Sequence, residues 1–256
     1  MKKLLIRVSV AFVVLVLLGM LAIRFFLDGA VKRGIETVGP MLTQVEVKLD
    51  SASISLLSGS GKLKGLLVGN PTGYKTPSAI QVGDATLAIQ PGSIFSSKVI
   101  IHSINVQAPE ITFETDLKGN NLSKIVANLQ AATGGGGSTG SAKQDSKASK
   151  KLQVDDFLIT GGKINVSITA LGGKSATVPL PEIHLTGLGQ GPDGITAAEL
   201  TKLVIQTIEK EAVQVSSSAV ADLGKDAAGL TKGLGNSATG AVDKVTKGLG
   251  GLFKKN

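Results

Sequence analysis

The chain has 256 residues, 42% of them hydrophobic, with 27 Lys and Arg against 19 Asp and Glu, a formal net charge of +8. It has no Cys and two His, which excludes disulfides, thiolate metal centres, cysteine catalysis and a three-histidine zinc site. Residues 1–33 carry +5, residues 133–151 carry +3 and residues 200–256 carry +3, leaving the rest at −3; a slightly acidic body without interleaved basic and aromatic residues excludes a nucleic-acid groove.

The first predicted element is a membrane anchor within residues 1–27. Val8 to Ile23 is sixteen residues without a charge, and Arg7 and Arg24 at its ends can snorkel toward headgroups. Val8, Phe12, Leu15, Leu18 and Leu21 are its expected lipid contacts. Lys2, Lys3 and Arg7 precede the run, which places the N-terminus in the cytoplasm by the positive-inside rule. A cleaved signal peptide would need a small-x-small site, where this chain has Arg24, Phe25 and Phe26.

After a weakly helical stretch over Asp28–Thr37, residues 28–132 read as strands. Val45, Val47 and Leu49 alternate with charged residues, and Gly61–Val68 follows a turn over Leu57–Ser60. Asn70-Pro71, Gly73 and Pro77 mark a loop. The apolar parity then changes from Ile80 and Val82 to Ala85, Leu87 and Ile89, which predicts a β-bulge at Gly83-Asp84. Val99–Val106 is strongly apolar, and Ile111 and Phe113 alternate with Glu110, Thr112 and Glu114. Asn121 is expected to cap a short helix bearing Leu122, Ile125, Val126 and Leu129.

Residues 133–150, with four consecutive glycines from Gly134, form a flexible linker or long loop. Strands continue over 151–195, where Pro179 and Pro181 argue for an edge position. The predicted fold class is mainly β: an antiparallel meander or groove with a short inserted helix, an N-terminal transmembrane helix and a C-terminal helix. That last helix occupies 196–219, opened by Thr196 and Glu199 at capping-box spacing and striped by Leu200, Leu203, Val204, Ile208 and Ala212. Residues 220–256 form a Gly- and Lys-rich amphipathic tail. Its eight glycines would cost about 8 kcal/mol against Ala in a free helix. Leu230, Leu234, Val245, Leu249, Leu252 and Phe253 are its candidate membrane contacts, with a solubilising tail as the other reading.

No phosphate loop or nucleophile elbow is present, and Ser58-Gly59-Ser60-Gly61 lies in a hairpin turn. His102 is expected as a satisfied core or groove histidine and His184 as a solvated one. Asp155-Asp156 points to opposite faces, and Glu114 with Asp116 reads as a wet edge. No enzyme activity and no cofactor are expected.

Several runs in order resemble the N-terminal region of the AsmA-like family of bacterial envelope proteins. These are the anchor, Gly61–Tyr74 with Gly69-Asn70-Pro71, Ile80–Leu87, Ile104–Glu114 with Ala108-Pro109-Glu110, and Gly119-Asn120-Asn121-Leu122. The resemblance covers about half the chain. It implies an inner-membrane protein with a periplasmic β-body, an apolar groove, and a part in outer-membrane assembly and phospholipid movement. The chain is too short to bridge an envelope alone, so a homo-oligomer, a protein partner or local loading would substitute. Val99, Ile101, Ile104, Val106, Ile111 and Phe113 are the lipid-groove candidates, and membrane phospholipid is the expected partner. A closed β-domain acting as a non-catalytic scaffold fits the same composition.

Overall fold

The structure, a computed structural model, describes residues 2–115, 119–134, 150–169 and 174–232. The side chains of residues 2–6, 8, 10–13, 16–25, 174, 218 and 220–232 lie outside that description. In chain order the elements are α1 (Lys2–Thr43), β1 (Val47–Ser55), β2 (Ser60–Gly69), β3 (Ser78–Ile89), a 3-10 turn (Pro91–Phe95), β4 (Lys98–Gln107) and β5 (Glu110–Thr115). Then follow α2 (Asn121–Ala132), β6 (Lys151–Thr160), β7 (Lys163–Ile168), β8 (Lys174–Pro179), β9 (Ile183–Leu188) and α3 (Ala197–Lys232). The fold is mainly β with a C-terminal helix.

Register reduces these nine strands to six long ones. β3 keeps one register across the junction of β4 and β5, Asp84 opposite Gln107 and Gln81 opposite Glu110. β6 and β7 follow them at a constant offset, with Gln107 beside Thr160 and Glu110 beside Lys163. β9 and β8 continue the pattern at the sheet edge, Ile183 opposite Ile159 and Pro179 opposite Lys163. The spatial order is therefore β1, β2, β3, β4–β5, β6–β7 and β9–β8. The edge position expected from Pro179 and Pro181 is observed.

The expected antiparallel meander needs correcting, because β4–β5 and β6–β7 run parallel. Parallel neighbours require a crossover of about a dozen residues or more, which α2 and the segment after it provide.

The parity change in β3 is also not a local bulge. The β2–β3 register is the same on both sides of it, Leu66 opposite Val82 and Lys64 opposite Asp84. Every strand changes parity along the same line. Buried or half-buried apolar positions pass from Leu49 to Ala52, from Leu66 to Leu63, from Val82 to Ala85, from Ile111 to Val106, from Ile164 to Ile159 and from Val178 to Ile183. The residues on that line are Asp50, Gly65, Gly83, Ala108, Gly161 and Pro181, with positive φ at Gly65 (63°), Ala108 (46°) and Gly161 (65°). Gly65 is obligatory, since a Cβ there would stand 2.0 Å from Asp50 Oδ2. One extra outward residue in each strand creases the whole sheet and keeps its apolar side chains on one face. Across the crease the ladder holds through Ala108 N–H to Thr160 O (2.8 Å), Lys163 N–H to Pro109 O (2.9 Å) and Leu180 N–H to Gly162 O (2.9 Å).

A second crease crosses β3, β4, β6 and β9 six residues away. The β3–β4 register shifts at Ala88/Ile89, Gly187 has φ 68°, and the inward positions pass from half-buried Ile104 to buried Ile101 and from Phe157 to Val154. The creases divide the sheet into an upper panel carrying Ile111 and Ile164, a middle panel carrying Ile104 and Phe157, and a lower end carrying Ile101 and Val154.

Helix α1 runs continuously to Thr43, well past the expected Asp28–Thr37 stretch and through Pro40. Tertiary contacts explain the extension. Edge strand β1 has a free row of backbone groups, and Asp28, Lys32 and Glu36, four residues apart on one helical face, satisfy it. Asp28 Oδ1 accepts from Ile54 N–H at 2.7 Å, Glu36 Oε1 accepts from Leu49 N–H at 3.1 Å, and Lys32 Nζ donates to the Leu49 and Asp50 carbonyls. Among the described residues no helix is long and apolar enough to cross a membrane. The anchor positions Val8, Phe12, Leu18 and Leu21 fall on side chains outside the description, whereas Leu15 is 68% exposed.

The capping box forms as expected. Glu199 N–H donates to Thr196 Oγ1 at 3.1 Å and Thr196 N–H to Glu199 Oε2 at 2.8 Å. Ile205, Ile208 and Ala212 are the buried stripe, whereas Leu203 is exposed. The helix continues to Lys232, so the expected boundary at 219/220 does not end it. Leu230 lies on α3 with its side chain outside the description, as are Leu234, Val245, Leu249, Leu252 and Phe253 entirely.

Candidate functional site

The creased sheet aligns apolar residues in rows across all six strands. In the middle panel one row runs Ile54, Gly61, Leu87, Ile104, Phe157, Leu185. The next runs Ala52, Leu63, Ala85, Val106, Ile159, Ile183. In the upper panel Val47, Val68, Ile80, Ile111, Ile164 and Val178 form the equivalent row. The rows give the sheet one continuous, mostly aliphatic apolar face.

All six groove candidates belong to this apolar cluster: Ile101, Ile111 and Phe113 are buried, while Val99, Ile104 and Val106 pack half-buried against it. Flat alternation would have put Ile101 and Ile104 on opposite faces, so the creases are what unite the set. The lining residues that sequence reasoning missed are Leu63, Leu66, Phe157, Ile159 and Leu185. Their apolar character was visible, but only the strand register places them beside Ile104 and Val106.

The two panels are closed to different degrees. α1 packs along β1, α2 on β5, and α3 over β7 and β8 with smaller contacts to β5 and β9. In the upper panel Ile111, Phe113, Ile164, Val166 and Ile168 are buried. In the middle panel Leu63, Leu87, Ile104, Val106 and Leu185 remain half-buried, whereas Ile54, Ala85, Phe157, Ile159 and Ile183 in the same rows are buried.

A buried polar knot closes the upper panel from the other face. Glu114 is not on a wet edge: it is 1% exposed, beneath the loop that carries Asn70-Pro71. Its carboxylate accepts from Thr76 Oγ1 (2.6 Å), Thr76 N–H (2.8 Å), Lys75 N–H (2.8 Å) and Thr169 Oγ1 (3.0 Å). Burial pushes this carboxyl up, but the Thr76 hydroxyl and N–H, the Lys75 N–H and the Thr169 hydroxyl together hold it below its usual value. Asp116 lies outside the described residues.

Asn121 is part of the same knot and is not the helix cap. Its Nδ2 donates to Asn70 Oδ1 (2.8 Å) and Thr112 O (2.7 Å), while its Oδ1 accepts from Glu114 N–H (3.0 Å). Asn120 caps α2 instead, accepting from Ser123 N–H at 2.7 Å. The Gly-Asn-Pro and Gly-Asn-Asn-Leu runs thus meet in space as a structural clasp.

Both histidines sit on the polar outer face, each paired with one member of the aspartate doublet. His102 is exposed, not a core residue, with Nδ1 3.0 Å from Asp155 Oδ2; His184 Nε2 is 2.5 Å from Asp156 Oδ1. The second crease explains this. Asp155 and Asp156 both lie between the core residues Val154 and Phe157, so the doublet does not split between faces. Hydrogen bonds from Gln153 and then His102 hold the Asp155 carboxyl below its ordinary value. Among the described residues no cluster of His, Asp and Glu could hold a metal ion. A polar cleft of ≈ 290 Å³ on the outer face, lined by Gln81, Glu110, Thr112 and Asn165 among others, contains none of the expected lipid contacts.

No protein-family model matches this chain, and neither does any curated protein or solved structure. The resemblance to the AsmA-like family therefore rests on the quoted runs alone.

Proposed function

We propose that the chain is a membrane-anchored module that holds phospholipid acyl chains along the middle panel of its apolar sheet face, which acts as a trough. One observation carries this reading: Leu63, Leu87, Ile104, Val106 and Leu185 stay half-buried on the apolar face, in the same rows as the buried Phe157, Ile159 and Ile183. Each acyl methylene taken out of water there contributes about 0.8 kcal/mol. An aliphatic lining suits a chain that must slide, because it imposes no directional contact.

The anchor is the uncharged run Val8–Ile23, on the helix that continues into the β1 edge. In line with the AsmA-like runs, the body lies in the bacterial periplasm and the activity serves the upkeep of the envelope. No step of this reading requires catalysis or a cofactor. The second reading, a closed scaffold, is favoured by the sealed upper panel.

A spin-labelled lipid separates the two. Full-length protein in detergent, with isoleucine methyls isotope-labelled, is incubated with a phospholipid carrying an acyl-chain nitroxide. The Ile104 methyl signal should broaden while those of Ile111 and Ile164 stay sharp. If all three stay sharp, the protein carries no lipid in this trough and the scaffold reading replaces it.

A further inference from the structure

We propose that the lower end of the sheet is a membrane-contacting rim, which seats the open trough directly on the anionic surface of the bilayer holding α1. This inference rests on the anchored reading above and specifies how the body meets the membrane.

Strand directions bring seven element ends to that one place: the end of β1, the starts of β2, β4 and β6, the ends of β3 and β9, and the start of α3. The anchor helix reaches the body at the same level. Asp28 is bonded to Ile54 N–H near the end of β1, whereas Thr43, fifteen residues further along the helix, lies by Asn128 of α2, which donates to its carbonyl at 2.7 Å. The direction of α1 therefore fixes which end of the trough faces the bilayer.

The residues at that end have the character of a membrane interface. Leu57, at the tip of the β1–β2 turn, is 82% exposed, and Phe95, on the 3-10 turn, is 81% exposed. Phe26, two residues before Asp28, is 78% exposed. These are the three most exposed large hydrophobic side chains among the described residues, and all three share one end of the molecule. The two turns touch: Ile89 N–H donates to Gly59 O at 2.6 Å, and Pro91 opens the 3-10 turn.

Beside Phe95 lies a cationic group. Lys98 and Lys151 are direct cross-strand neighbours, and Lys150 Nζ donates to the carbonyl of Ile94. Lys202 follows on the first turns of α3. The acids nearby are Asp28, Asp193 and Glu199 against Lys98, Lys150, Lys151 and Lys202, so the rim keeps a positive balance. Exposed Leu and Phe ringed by Lys suit the boundary between headgroups and acyl chains of an anionic bilayer. A soluble partner would not require these residues to lie level with the emerging anchor.

The chain has no Cys, so single-cysteine labelling reports one site at a time. Nitroxides are placed on Leu57→Cys, Phe95→Cys and Thr177→Cys, the last exposed on the outer face of β8 far from the rim, in full-length protein reconstituted into phosphatidylcholine–phosphatidylglycerol vesicles. Labels at 57 and 95 should collide more with lipid-soluble oxygen than with a water-soluble nickel chelate, and the label at 177 should show the reverse. Combining Lys98→Glu, Lys150→Glu and Lys151→Glu should lower the oxygen-to-chelate ratio at 95 severalfold. Equal water accessibility at all three sites overturns the rim, as does a 95 label indifferent to the charge reversal. Broadening of Ile104 by spin-labelled lipid would still support the trough in that case, so the two claims fail separately.

Discussion

The upper and middle panels of the sheet are made by the same six long strands and lined by the same aliphatic residue types, yet they are closed to different degrees. Ile111 and Ile164 are fully buried, while Ile104 and Val106, a few residues away in the two rows beyond the crease, remain half-buried. The hydrophobic effect is indifferent to what removes a side chain from water, whether a helix or an acyl chain. What separates a core from a candidate binding surface here is the reach of α2 and α3, not composition.

The largest expected effect sharpens this comparison directly. Ile111→Ala or Ile164→Ala should lower unfolding free energy by about 2–5 kcal/mol, because a cavity opens under well-packed helices. Ile104→Ala removes a side chain already half in water and should cost about 1 kcal/mol. Urea titrations read both, and equal losses would erase the distinction between the panels.

The polar knot comes next. Glu114→Gln should cost about 1.5–3 kcal/mol, since charge-assisted bonds from Thr76, Lys75 and Thr169 are weakened in a buried site. The sign of the pH effect follows from the lowered carboxyl. Glu114 contributes its full stabilisation above the ordinary glutamate pKa, about 4.3, and loses it as pH falls through the lower folded value. Acid unfolding curves of the Gln variant should therefore be flatter than wild type below about pH 4.3.

Asp28→Ala should cost roughly 1 kcal/mol and speed amide exchange at Ile54, whose N–H it would leave unsatisfied at the sheet edge. Unchanged exchange there would mean that α1 does not guard the edge of β1. The smallest effect is expected at the start of α3, where Thr196→Ala should lose about 0.5–1 kcal/mol without altering either panel.

Alternation alone made the β-body, the edge position of Pro179 and Pro181, and the α3 capping box legible, because each is a local signal. The creases were only half visible. The parity change at Gly83-Asp84 could be read along β3, but its nature depends on Gly65, Ala108 and Gly161 falling on the same line, which is a matter of register. Glu114 looked wet because its neighbours alternate correctly; the Asn70–Thr76 loop that buries it arrives from 38 or more positions away in the chain. Helix α1 outran its local propensity, with Gly34, Gly39 and Pro40 all inside it, because the free edge of β1 recruits its side chains.

Photocrosslinking in cells tests the central claim most directly, with a benzophenone amino acid at Ile104 in one variant and at Phe113 in another. The account predicts phospholipid adducts from position 104 of the middle panel and none from the sealed position 113. Adducts from neither position, or equally from both, would contradict it.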